Sequence, residues 1–283
     1  MATLSDFIDY WDHVVANWFE GHAYGDEPLW FKEAKTLNFL HMPEPYWGNP
    51  KDCSIVIANY NPGGGADRSR HTYLPCAGCS DSFIKEVKKS SYSEVALSFP
   101  IIKDPKNLLK GFYWWKEYGG RKWWLDKLDW IKDAYNLLTG IKVDDESFKP
   151  FVMEFCAWHC PKWSDNKSIV DLYYANKRTG ATTPLAKTID EYFIEPLTAA
   201  IKASTCKYGI CVGSQFHYLF KQMEKDEKNV RLVKSKDIGN GTCCYYIINN
   251  ANVIVIWGNG YNRYPNLQGV DFKELLNKKV ILL

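Results

Sequence analysis

The chain has 283 residues, 35 Lys and Arg against 33 Asp and Glu, and a formal net charge of +2. That length buries a substantial core. No Pro/Ser/Gly-rich linker, low-complexity stretch or repeat divides it, which excludes a repeat or bead-like architecture, and no apolar run is long enough to span a bilayer. The N-terminus, Met1-Ala2-Thr3-Leu4-Ser5-Asp6, has no basic region followed by an apolar run and so does not read as a secretory signal. The 9 cysteines, an odd number at irregular positions, read as reduced thiols of a cytoplasmic protein. The expectation is one domain over 1–283, with an N-terminal helical and irregular extension to about residue 50.

Along the chain, Phe7, Ile8, Trp11, Val14, Val15 and Trp18 recur at helical spacing, predicting an amphipathic helix over 5–20 with Ser5 as cap. Residues 21–50, rich in Pro, Gly and Trp, read as an irregular covering segment. Four apolar runs read as strands: 53–59, Phe151 to Ala157, Tyr208 to Gly213 and Asn252 to Trp257. Between them lie helical patterns near 82–90, 124–139 with Gly140 as stop, and 184–203 with Pro184 near its start and Pro196 bending it. Another follows the third strand, with Phe216, Leu219, Phe220 and Met223 inward. Gly239-Asn240-Gly241 predicts a hairpin over 230–249, and a last helix covers 271–277. Strands separated by helices predict an α/β fold, a three-layer α/β/α sandwich around a central, mainly parallel four-stranded sheet.

The carboxyl ends of those four strands carry Asn61-Pro62-Gly63-Gly64-Gly65, Trp158-His159, Gly213-Ser214-Gln215 and Gly258 through Arg263. Each end joins polar groups to glycine or an aromatic residue, and open parallel sheets bind ligands outside these ends. The glycine loop lacks the Lys-Ser/Thr of a P-loop and the spacing of a dinucleotide fingerprint. Charge is uneven: residues 1–50 hold 2 Lys and 8 acids, while 51–125 hold 12 Lys and Arg against 7 acids. A basic middle containing Arg68 and Arg70 suits a phosphate-bearing partner, and a solvated mixed-charge face accounts for it equally. The 12 Trp, 18 Tyr and 14 Phe fit either large core side chains or a stacking surface.

The stretch Ile57-Ala58-Asn59-Tyr60-Asn61-Pro62-Gly63, the second strand, and the third strand with Val212-Gly213-Ser214 together resemble the uracil-DNA glycosylase superfamily. The likeness is to the branch whose first motif reads Asn-Pro-Gly where others have Asp-Pro. The chain departs from the second motif: where the family has His or Asn followed by Pro-Ser, this sequence has Asn259-Gly260-Tyr261-Asn262-Arg263-Tyr264-Pro265. The resemblance implies a glycosylase-like hydrolase that cleaves the N-glycosidic bond of a flipped modified or mismatched base. The alternative is a catalytically silent protein that binds a base, nucleotide or nucleic acid.

On that reading Asn61 orients the attacking water and stabilises cationic sugar character, since an amide cannot deprotonate water. Its structural alternative is a side-chain cap of the following turn. Glu154, a charge within an apolar strand, must meet a cation, be protonated or face a cavity, and beside the rim it suits general acid–base work. His159 is placed to donate a hydrogen bond to the departing base, or else is satisfied by loop carbonyls. Tyr60, Pro62, Gly63, Gly64, His71, Tyr73, Ser214, Asn259, Tyr261 and Arg263 complete the substrate-binding set, with Tyr73 stacking on the flipped base or packing in the rim. Arg68 and Arg70 are the nucleic-acid contacts. Cys76-Ala77-Gly78-Cys79 and Cys156 to Cys160 invite a metal reading, but one Cys-x2-Cys is half of a zinc site and Cys156 sits inside a strand. The expectation is no metal and no cofactor, DNA or a nucleobase-containing ligand as partner, no membrane, and a monomer.

Overall fold

The computed structural model describes residues 3–20, 43–60, 88–97, 120–144, 147–157, 189–238, 240–258, 265–267, 272 and 276. Helix α1 (Leu4–Phe19) buries the six apolar residues that its spacing predicts. Its cap is Thr3, not Ser5. The Thr3 hydroxyl accepts the Asp6 N–H at 3.1 Å and the Asp6 carboxylate accepts the Thr3 N–H at 2.6 Å, so two orphan donors are satisfied reciprocally. Ser5, two residues beyond the cap position, instead accepts a hydrogen bond from Lys51 Nζ at 3.0 Å.

Among the described residues seven strands form one sheet: β1 (Tyr46–Trp47), β2 (Ile55–Asn59), β3 (Pro150–Glu154), β4 (Tyr208–Val212), β5 (Val230–Asp237), β6 (Gly241–Ile248) and β7 (Ala251–Gly258). Their spatial order is β1-β3-β2-β4-β7-β6-β5. The four strands read from the sequence are all present, and β3, β2, β4 and β7 run parallel to one another. The four-stranded, mainly parallel sandwich is nevertheless wrong. The sheet is mixed, with β1 antiparallel on β3 and an antiparallel β5-β6-β7 meander filling its C-terminal half.

The physical reason lies at Asn249-Asn250. Both residues have positive φ, 48° and 63°, and they join Ile248 to its register partner Ala251. A two-residue loop with both residues in the left-handed region is the tight turn whose twist matches a hairpin. The chain therefore does not cross from β4 through a helix directly into β7. It runs out to the far edge at β5 and zigzags back, so the 230–249 hairpin is part of the sheet, not an appendage. A register shift between Leu232 and Lys234 marks a bulge in the edge strand β5, a feature that discourages edge-to-edge pairing.

The remaining described helices are α2 (Tyr92–Leu97), α3 (Gly120–Thr139), α4 (Glu195–Ala203) and α5 (Ser214–Asp226). A π-helical turn, Asp190–Ile194, leads into α4, whose first turn holds Pro196, where a missing N–H leaves no helical bond unmade. Register assigns the faces. Gly209, Val253 and Tyr246 lie opposite one another and share a face. There a Cβ at Gly209 would fall 2.3 Å from Ile201 Cδ1 of α4, and the Tyr246 hydroxyl meets His217 of α5. On the same face Tyr46 and Phe151 are ring neighbours at 6.0 Å, and Phe7 of α1 packs on Tyr46 at 5.3 Å. The Tyr92 hydroxyl of α2 donates to the Tyr46 carbonyl at 2.6 Å. The opposite face, with Ile55, Ile57, Val152, Ile210, Ile254 and Ile256, is equally buried. Burial on both faces explains why these strands read as unbroken apolar runs. Among the described residues no helix is long and apolar enough to cross a membrane.

Candidate functional site

The carboxyl ends of the parallel strands align at Glu154, Asn59, Val212 and Gly258, in the order β3-β2-β4-β7. The chain leaves β2 for β3 on one side and later enters β4 on the other. The junction of β2 and β4 is thus a topological switch point, the place where the crevice of an open parallel sheet takes a ligand. Tyr60 borders this point from β2, and Gly213-Ser214-Gln215 border it from β4.

At the β2–β3 side, Asn59 and Glu154 are register partners and share a face. The Asn59 amide donates to Glu154 Oε1 at 3.1 Å, and both side chains are buried. The Glu154 N–H donates to the Pro45 carbonyl at 2.9 Å, and Phe155 N–H to the Asn59 carbonyl at 2.8 Å, so the two strand ends are tied together. Burying a carboxyl group requires hydrogen-bonding compensation, and the Asn59 amide is part of it. Asn59 escaped the sequence reading. Its signal was a polar residue closing an apolar strand directly opposite the one charge in the next strand.

On the other face at the same level, Tyr60 stacks on Phe155 with centroids 5.1 Å apart. Phe216 of α5 meets both rings edge-on at 6.2 Å, and Phe193 stacks on Phe216 at 5.7 Å. Tyr60 is 2% exposed. Its ring belongs to this aromatic cluster, which packs the end of β2 against Phe155 and α5.

At the β4 side Gly213 ends the strand, with its N–H donating to the Ile256 carbonyl at 2.9 Å. Its φ of 127° and ψ of 144° fall in a region essentially restricted to glycine. No side chain caps α5 there, and the positive end of the helix dipole lies at the end of β4. Ser214 is exposed at the first position of α5. The Gln215 side chain folds back over Gly213 and is 5% exposed. A primary amide at that place carries both a donor and an acceptor.

Of the sequence-predicted residues the structure thus places Glu154, Tyr60 and Ser214 around one strand edge. Asn61, Pro62, Gly63, Gly64, Arg68, Arg70, His71, Tyr73, His159, Asn259, Tyr261 and Arg263 lie outside the described residues, as do Cys76, Cys79 and Cys160. Cys156 is buried, and with Cys53, Cys206, Cys211, Cys243 and Cys244 it is a free thiol. Burial raises the Cys53 thiol to about 12 and that of Cys206 to about 11. Groups so hard to deprotonate are poor nucleophiles and poor metal ligands. No family model, curated protein or solved structure matches the chain.

Proposed function

We propose that the crevice at the β2–β4 switch point binds a nucleobase-containing ligand, and that the chain is a glycosylase-like hydrolase acting on the N-glycosidic bond of a flipped modified or mismatched base in DNA. The observation that supports this most is that two features belong to neighbouring strand ends. The first-motif stretch, Asn61-Pro62-Gly63, follows Tyr60 directly in the chain, and α5 with Gln215 starts at the end of β4, the strand beside β2. The amide fits the paired donor and acceptor edge of a base, and the helix terminus fits an attached phosphate.

In this reading Asn61 orients water toward the sugar carbon, and its dipole favours the cationic character that develops as the base departs. Glu154, fixed by Asn59 at the end of β3, and His159, five residues further along the chain, assist the leaving base. The basic stretch with Arg68 and Arg70 supplies phosphate contacts, which make affinity fall with salt. One sequence observation favours a second reading: the stretch from Asn259 to Pro265 lacks Pro-Ser. A chain that keeps the crevice without that loop binds the base and leaves the bond intact.

The test is incubation with single- and double-stranded oligonucleotides carrying uracil, mismatched thymine or oxidised and alkylated bases, followed by alkaline cleavage at abasic sites. Wild-type protein is expected to release at least one of these bases, and Asn61→Ala to be slower by about 10²-fold. Binding without release selects the second reading, and neither binding nor release removes both.

A further inference from the structure

The first turn of α5 holds a second polar arrangement, on the side of the helix that faces β6 and β7. His217 Nδ1 lies 2.7 Å from the Tyr246 hydroxyl. The Tyr246 side chain is fully buried, and burial raises its pKa well above the ordinary phenol value, so it keeps its proton. Its other acceptor within reach, the His217 carbonyl, is 3.5 Å away, too long for a good O–H···O bond. The shorter contact makes Nδ1 the better acceptor for the phenol, and that pairing puts the imidazole proton on Nε2. Burial first, and the Lys221 charge second, hold His217 below the ordinary histidine value, with Glu224 opposing them, and this favours the neutral ring.

The same imidazole lies against the Trp257 indole, with centroids 5.2 Å apart and planes tilted by 33°. Tyr246 and Trp257 together fix the ring's orientation. His217 and Trp257 are both half-buried, so each keeps surface open, and among the described residues nothing accepts a bond from Nε2. Trp257 is the penultimate residue of β7, and Ser214 is one helical turn above His217. The patch is thus continuous with the carboxyl edge that borders the crevice. A fixed N–H donor beside an open indole matches a flat heterocycle bearing a carbonyl acceptor: the ring stacks, and the carbonyl takes the hydrogen bond.

We propose that His217 and Trp257 form an accessory base-binding patch that holds a neighbouring, unpaired nucleobase of the same nucleic-acid strand, stacked on Trp257 with its carbonyl accepting from His217 Nε2. The inference rests on the nucleic-acid reading of the crevice and adds to it a second contact point and a preference for single-stranded ligand. Tyr246 is a positioning residue, acting only through the tautomer of His217.

The probe is a fluorescein-labelled single-stranded thymidine decamer, titrated by fluorescence anisotropy against wild type, His217→Phe, which keeps an aromatic ring but no donor, and Trp257→Leu. Each variant is expected to raise Kd by about five- to tenfold, the range for one hydrogen bond or one stacked base. On ¹⁵N-histidine-labelled wild type, His217 is expected to show a protonated Nε2 whose resonance moves on adding the decamer, and Tyr246→Phe is expected to redistribute the tautomers. These NMR readouts on wild type decide the matter even where a variant fails to fold. Decamer binding by wild type with an unmoved Nε2 resonance, or with undiminished affinity in both folded variants, overturns the patch and leaves the crevice standing. No decamer binding by wild type also overturns the patch, and the crevice then stands or falls on the lesion oligonucleotides alone.

Discussion

Gly213→Ala tests the junction on which the site depends. The wild-type φ of 127° and ψ of 144° lie where an L side chain is rarely found, a strain of about 1–3 kcal/mol per residue. A Cβ would also fall 2.5 Å from Gln215 Oε1 and 2.6 Å from its Cδ and Nε2, so the amide must swing away from its place over the turn. Losing that rotamer adds about 0.5–1.5 kcal/mol. The sum is about 2–4 kcal/mol, which at about 2–4 °C per kcal/mol for a chain of this size lowers Tm by about 4–16 °C. Chemical denaturation and calorimetry measure it directly. The double variant Gly213→Ala/Gln215→Ala separates the two causes, because it removes the collision and keeps the backbone strain. It is expected to recover less than half of the loss. A single variant within about 0.5 kcal/mol of wild type refutes the whole argument, and full recovery in the double variant refutes the backbone part.

Asp12 bridges α1 to α2, accepting from Ser93 N–H at 2.7 Å and from Ser93 hydroxyl at 2.5 Å. Asp12→Ala is expected to lower unfolding free energy by about 2–3 kcal/mol through loss of two charge-assisted bonds, read from the urea midpoint; a loss under about 0.5 kcal/mol would show that α2 is held by packing alone. The buried thiols Cys53, Cys206, Cys211 and Cys243 all have pKa values raised chiefly by desolvation. Peptide mapping after iodoacetamide at pH 7.5 is expected to show them labelled at least about 10²-fold more slowly in the native protein than in denaturant. Native labelling of Cys211 at the denatured rate would mean that β4 opens freely.

What the sequence showed, and what it hid, follows from which interactions leave a local trace. Ile55, Val56 and Ile57 are buried on both faces, and an unbroken β-branched run is the direct record of that environment. The α1 stripe was legible for the same reason at helical period. The edge on which a hairpin docks leaves no such record. The Gly239-Asn240-Gly241 signal announced β5 and β6, and Asn249-Asn250 was passed over as a boundary although two adjacent asparagines tolerate the positive φ of a tight turn. At the site, Glu154 stood out as a charge in an apolar strand. Its partner Asn59 is 95 residues away in the chain, and only register brings the two together. His217 gave no signal at all, because what sets it apart is the phenol on Nδ1 and the indole beside it, both contributed by strands that follow it in the chain.

The meander has a consequence for how the protein is made. β7 flanks β4 in the middle of the finished sheet, yet among the described strands it is the last to leave the ribosome, after β5 and β6. Until it arrives, β4 presents a bare, apolar edge of the kind that recruits other chains. The meander itself needs only short-range closures, so β5, β6 and β7 can assemble locally and dock as a preformed block. A nascent chain stalled before Ala251 would hold the loop after β2 and the start of α5, but not the strand that fixes Gly213 through the Ile256 carbonyl. The crevice is therefore finished by the final step of folding, and a truncated chain is expected to aggregate before it can bind anything.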